Sequence, residues 1–161
     1  MKINRDKTQL MFVKPDKELR KRKLKIGDCK ISHQPAIKTL RVTISEDLGF
    51  DEHIFKGKQN VLKSITVKTV LLRLVRPFIS KKALGNIASS LINSTILYAA
   101  PVWGRTTKAN IQKIQAGQTK AARIVDGKKW KMGKKSHRQT MLNDLDWPNT
   151  QQIITTATLN V

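Results

Sequence analysis

From His53 to Val125 the sequence contains no aspartate or glutamate, while thirteen lysines and arginines fall in the same interval. Such a segment cannot neutralise itself through internal salt bridges, so whatever it folds into carries an unbalanced positive charge. The whole chain follows suit: 32 Lys and Arg stand against 11 Asp and Glu in 161 residues, a net charge of +21. Surfaces of that potential collect polyanions, and nucleic acid is the leading partner. The length is that of one domain, or one plus an appendage, and 39% hydrophobic residues suffice for one modest core.

Cys29 is the only cysteine, which excludes an intramolecular disulfide and a secreted disulfide scaffold. The start, MKINRDKTQLMFVKP, has no apolar run of signal-peptide length, and the most apolar stretch, Ser89 to Trp103, is interrupted by Asn93, Ser94, Thr95 and Pro101. The expectation is an intracellular chain, nuclear or cytoplasmic, with no membrane span and no secretion.

Three runs near the start have strand character: Thr8 to Val13, Leu24 to Ile31, and Thr39 to Ile44, in which Leu40, Val42 and Ile44 alternate with Thr39, Arg41 and Thr43. KELRKRKLK, between the first two, reads as a solvated hairpin tip, with a nuclear-localisation signal as the alternative. After Gly49 the pattern becomes helical. Asp51 can cap a helix running to about Arg76, where Pro77 stops it, and Ser80 can cap a second that Pro101 ends. Thr106 or Thr107 can cap a third, with Ile111, Ile114, Gln118, Ala121, Ala122 and Val125 on one side. At 100° per residue Lys113, Lys120 and Arg123 project away from that apolar side. Gly127 ends this helix, KKWKMGKK follows as a basic loop, and Ser136 and Asn149 can cap two short terminal helices.

Little here supports catalysis. Two-metal phosphoryl transfer needs converging carboxylates, but Asp144 and Asp146 stand two apart, which on a helix makes them diverge. Glu46, Asp47, Asp51 and Glu52 surround a strand-to-helix turn, where acids suit a helix N-terminus. Cys29 and His33 have no second Cys/His pair at zinc spacing, and the glycines of GKKWKMGKK are one residue too far apart for a phosphate-binding loop. Neither a metal site nor a catalytic residue is expected. Tyr98 and Trp103 border an apolar helix end and read as core, together with Ile111 and Ile114. Trp130, set among Lys128, Lys129, Lys131, Lys134 and Lys135, can stack on a base.

Four motifs in order carry a resemblance. MKINRDKTQLMF resembles a strand with N-x-x-K-T; KTLRVTISEDLGFDEHI resembles L-G-V-x-I-D-x-x-L-x-F-x-x-H-I; LINSTILYAAPVWG with KIQAGQTKAARIV resembles a Tyr, then P-V-W-G, then K-I-Q-x-x-Q-x-x-A-A-R; TMLNDLDW resembles L-x-x-L-x-W. Together they resemble the C-terminal part of the reverse transcriptase of non-LTR (LINE-like) retrotransposons, over nearly the whole chain. The resemblance implies the end of a palm with its primer grip, a thumb and a C-terminal extension. The family's Tyr-x-Asp-Asp motif and earlier metal-binding Asp would then lie upstream of Met1. Arg41 stands where the family has the glycine of L-G-V, and Ser45 where an aspartate commonly follows. At Arg41 a side chain would obstruct a closely approaching primer strand or supply a phosphate contact. Such departures fit a decayed element, or a reading frame begun at an internal Met.

The expected fold is therefore α+β, short antiparallel strands followed by a helical thumb-like bundle, divided as 1–49 (end of palm) and 50–161 (thumb and extension). The expected function is that of a polymerase fragment without catalytic aspartates, inactive alone, holding RNA and DNA as a template-primer duplex. Phosphate contacts are expected from Lys113, Lys120 and Arg123, then from Lys128, Lys129 and Lys131, with Trp130 and Arg41 beside them. The implied partners are nucleic acid and the upstream palm and fingers. No cofactor is expected in this chain, Mg²⁺ belonging to the complete polymerase. The alternative is a stand-alone basic nucleic-acid-binding module, domesticated or ribosomal-protein-like.

Overall fold

The alternating runs near the start fold as two hairpins, whose four-residue strands are shorter than the runs themselves. In the computed structural model, which describes residues 4, 7–27, 29–58, 60–127 and 135–159, the fold is α+β: two antiparallel strand pairs followed by a mostly helical region. The chain divides into two units, 1–57 and 58–161.

In the first unit Asp16 caps a short helix α1 (Lys17–Lys21), its carboxylate accepting from the Leu19 amide at 2.7 Å. KELRKRKLK is thus a capped helical turn leading into a strand, not a hairpin tip, because Asp16 satisfies an amide that a hairpin would leave to water. Strand β1 (Lys23–Ile26) pairs antiparallel with β2 (Cys29–Ser32). The run Leu24 to Ile31 therefore reverses at Gly27, whose φ of 58° suits glycine. Strand β3 (Ala36–Thr39) likewise pairs with β4 (Val42–Ser45). Thr39 to Ile44, expected as one strand, turns through Leu40 and Arg41, whose φ values of 46° and 64° are those of a two-residue hairpin turn. Thr8 to Val13 forms no strand; Leu10 makes only an isolated parallel bridge to His33.

Side chains tie these short pieces together. His33 Nδ1 accepts from the Phe12 amide at 3.2 Å, while its Nε2 meets Glu46 Oε2 at 2.8 Å, and Glu46 also pairs with Arg20. A π-helical turn over Glu52–Lys56 then buries His53 and Ile54. Burial, and secondarily the charge of Lys38, push the His53 pKa down from its ordinary value of 6.5.

The helix expected from Asp51 to Arg76 is broken. The Gly57 amide closes the π-helical turn on the Glu52 carbonyl at 2.8 Å, and Asn60 starts afresh by accepting from the Lys63 amide at 2.8 Å. Helix α2 (Val61–Val75) follows, then a single 3₁₀ turn, Arg76–Phe78, containing Pro77. Ser80 caps α3 (Lys81–Leu97). Pro101 does not end that helix. The chain turns at Ala99, with φ 52°, and Pro101 sits in the first turn of α4 (Ala100–Trp103), where its missing N–H is not needed. Thr107 caps α5 (Lys108–Asp126), which ends at Gly127 with φ 74°; a side chain there would also strike the Arg76 guanidinium. Helices α6 (Lys135–Asp144) and α7 (Thr150–Leu159) follow, α7 capped by Asn149, which accepts from the Gln152 amide at 2.9 Å. The Ser136 side chain lies outside the described residues.

Within 58–161, α5 is the central helix and packs against α2, α3, α6 and α7. Ile65 and Leu72 of α2, Leu84, Ile92 and Ile96 of α3, Trp103, Ile114, and Met141 and Leu142 of α6 are almost wholly buried around it. No helix among the described residues is long and apolar enough to cross a membrane.

Candidate nucleic-acid interface

The central position of α5 leaves little of it to solvent. Ile114, Gln118, Thr119, Ala121, Ala122, Ile124, Val125 and even Asp126 are buried, and Ile111 is half-buried. What remains, besides Lys108 at the helix start, is a narrow strip of Ala109, Gln112, Lys113, Ala116 and Lys120, with Arg123 at its half-buried edge. Lys113 and Lys120 stand seven residues apart, about 10 Å along the axis, a separation of about three base steps of duplex. The strip carries no carboxylate. The one acid of α5, Asp126, is turned inward and holds Lys81 of α3 at 2.8 Å.

Two other cations of this unit, Lys68 and Lys81, are committed to structure. Lys68 of α2 donates to the Leu91 carbonyl at 3.0 Å and to the Thr95 hydroxyl, clamping α2 on α3. A cleft of about 540 Å³ beside Lys81 and Lys82 is also lined by Asn86, Ser89, Asp144 and Asp146. Its charges oppose one another, so it lacks the single sign that grips a polyanion. Among the described residues no group of three or more His, Cys, Asp or Glu comes together.

What fixes α5 in rotation is a polar network on its buried side. Gln118 Nε2 donates to the Pro148 carbonyl at 2.8 Å and to Asn93 Oδ1 at 3.2 Å; its Oε1 accepts from Gln115 Nε2 at 2.9 Å and from the Thr150 hydroxyl at 3.2 Å. Gln115 Oε1 in turn accepts the Thr150 amide, at the first residue of α7, at 2.8 Å. Both glutamines of KIQAGQ therefore tie α5 to α3 and to the start of α7. Sequence periodicity placed Gln118 on the apolar side without a role and missed Gln115. The available signal was an amide residue amid apolar ones, which when buried must find partners.

The apolar corner that precedes α5 has a related geometry. Trp103 is fully buried, with Nε1 donating to the Tyr98 carbonyl at 2.8 Å. Tyr98 itself was expected in the core, and the structure corrects this: it is 48% exposed, because α3 ends just before it and the left-handed Ala99 turns the chain away. Gly104 completes P-V-W-G by letting α7 close in; a Cβ there would lie 2.4 Å from Ile154 Cγ2.

Arg41 sits at the exposed tip of the β3–β4 hairpin, beside Leu40. Lys128, Lys129, Trp130 and Lys131 lie outside the described residues.

No protein-family model matches the chain, and no solved structure does. Over 105 residues the chain is similar to the RNA-directed DNA polymerase from mobile element jockey of Drosophila melanogaster. The two are 29% identical there, across 63% of this chain and 11% of that protein. The chain thus spans only a small part of the polymerase it matches.

Proposed function

We propose that the chain is a fragment of a non-LTR retrotransposon reverse transcriptase that holds template-primer nucleic acid, with α5 as the helix that meets phosphates. The observation that carries this reading is the acid-free strip of Lys113, Lys120 and Arg123 on a helix locked from behind. A helix fixed by its core and by the Gln118 network presents its cations at set spacing, which lowers the ordering cost of binding. Similarity to the jockey polymerase supplies the enzyme class, and the +21 net charge supplies the electrostatic drive. Arg41, Lys128, Lys129, Lys131 and Trp130 are proposed as further contacts to nucleic acid, and the fragment acts without catalytic acids of its own. Its partners on this reading are RNA, DNA and the palm and fingers of the same polymerase.

The deciding experiment is duplex binding as a function of salt, with and without the α5 cations, beside primer extension with Mg²⁺ by the isolated chain. A second reading is favoured by one observation: the buried core around α5 and the Gln118 network are built from residues of 58–161. A self-contained basic module that binds nucleic acid without a polymerase around it would be built the same way.

A further inference from the structure

Helix α2 is apolar on two opposite sides, and among the described residues of 58–161 only one of them is covered. Val61, Ile65 and Leu72 are buried against the bundle. On the far side Val67, Val70, Leu71 and Leu74 are 49–63% exposed, and Phe78, just past the helix, is 86% exposed. The positions 67, 70, 71 and 74 follow the i, i+3, i+4, i+7 spacing of a helix–helix seam. A helix apolar all round is ordinarily covered all round, and a contiguous exposed stripe of this kind marks an interaction surface.

The surroundings identify the occupant. Lys63 stands one turn before Val67 on the same line, and Arg73 borders the stripe. Neither α2, α3 nor the first eighteen residues of α5 contains a carboxylate. A second copy docking by the same face would bring two further cations, Lys63 and Arg73, to the seam and no carboxylate, so self-pairing is opposed by charge. Aliphatic side chains gain nothing against hydrated phosphates. A bilayer surface would take a broad apolar face, whereas α2 is packed on α3 and α5 and offers a single ridge.

We infer that this ridge is the docking site for an amphipathic helix of another protein segment, with apolar residues at heptad spacing and acidic residues along the edges. Such a helix would lay its apolar side over Val67 to Phe78, a length of about 16 Å, and place carboxylates beside Lys63 and Arg73. This surface is separate from the proposed phosphate-binding strip and does not depend on it.

The probe is a synthetic helix of about three heptads with a leucine seam and glutamate edges, and its twin with lysine edges. Binding to the full chain, purified free of nucleic acid, is read by fluorescence anisotropy at about 0.15 M salt. The glutamate peptide is expected to bind, and its twin about tenfold more weakly or worse. The double variant Leu71→Gln with Leu74→Gln should cost at least about tenfold in affinity for the glutamate peptide, as should Phe78→Ser in an otherwise unchanged chain. Both variants alter exposed positions, so their thermal unfolding should match the parent. Failure of the glutamate peptide to bind, or binding that neither variant weakens, overturns the inference. So does sedimentation with phosphatidylserine vesicles, or self-association of the chain, that these variants abolish.

Discussion

The indole of Trp103 donates to the carbonyl oxygen of Tyr98 at 2.8 Å, across the left-handed turn at Ala99. A buried aromatic thereby secures the end of α3 while α4 begins beneath it, and the chain can reverse toward α5. Trp103→Phe removes both the donor and part of a fully buried side chain. The expected cost is roughly 2–4 kcal/mol in denaturant unfolding. Tyr98→Phe keeps the backbone carbonyl, so its cost should be well below that of Trp103→Phe. Equal losses would assign the corner to the Tyr98 ring instead.

Gln118 tests whether α5 is fixed by the amide network. Gln118→Glu preserves shape but points a carboxylate oxygen at the Pro148 carbonyl and Asn93 Oδ1, two acceptors. At neutral pH about 2–4 kcal/mol of stability should be lost. Burial raises the pKa of the new carboxyl, so acidification should restore part of the loss before ordinary carboxylates titrate. A pH-independent loss would show that packing alone fixes this helix.

Arg41 separates backbone strain from binding. Its φ of 64° is the left-handed conformation that glycine adopts freely, and this is the position at which the chain departs from the L-G-V pattern. Arg41→Gly should leave the hairpin of residues 36–45 as stable as before, or more stable by up to about 1 kcal/mol, the relief of strain outweighing the added freedom of the unfolded chain. Amide exchange across Ala36–Ser45 reads this directly. If Arg41 also meets phosphate, the same variant weakens nucleic-acid binding while the hairpin holds firm.

How far the sequence carried can be judged at particular residues. Helix α5 was legible at both ends and on both sides, because Thr107, the apolar periodicity and Gly127 all report the same local chemistry. The long runs 24–31 and 39–44 were not, since period-2 alternation continues through a two-residue turn and only Gly27 hinted at reversal. Leu40 and Arg41 take positive φ without being glycine, against their local preference. The break at 57–60 was hidden by apolar spacing on either side, although Asn60 is a good cap. For the candidate site, the cations were legible, whereas Gln115, Asn93 and Thr150 become partners only through tertiary packing.

His53 makes the first unit sensitive to acid. Its folded pKa lies below the 6.5 of the free side chain, through burial first and the Lys38 charge second. The unfolded chain therefore takes up the proton more readily than the folded one. Stability is complete above pH 6.5 and falls as the pH drops below that value toward the lower folded pKa. From pH 7.5 to pH 5.5 amide exchange over 29–57 should slow by less than the intrinsic chemical rate does, leaving an excess that reports lost protection. In His53→Leu that excess should vanish. An excess that persists would transfer the effect to another group.

The α5 strip predicts a definite salt dependence. Each phosphate neutralised by a Lys or Arg releases counterions from duplex DNA, so log K falls against log salt with a slope of about 0.9 per contact. Changing Lys113, Lys120 and Arg123 together to Gln should reduce that slope by roughly two to three, since all three project from one strip. Arg123 is half-buried, so its single variant doubles as a control: a lowered melting temperature with an unchanged slope would mark it as structural. The loss should be similar for unrelated duplex sequences, because phosphate contacts position without reading bases. An unchanged slope in the triple variant, with the fold intact by circular dichroism, would remove α5 from the interface and leave the charge elsewhere on the chain to account for binding.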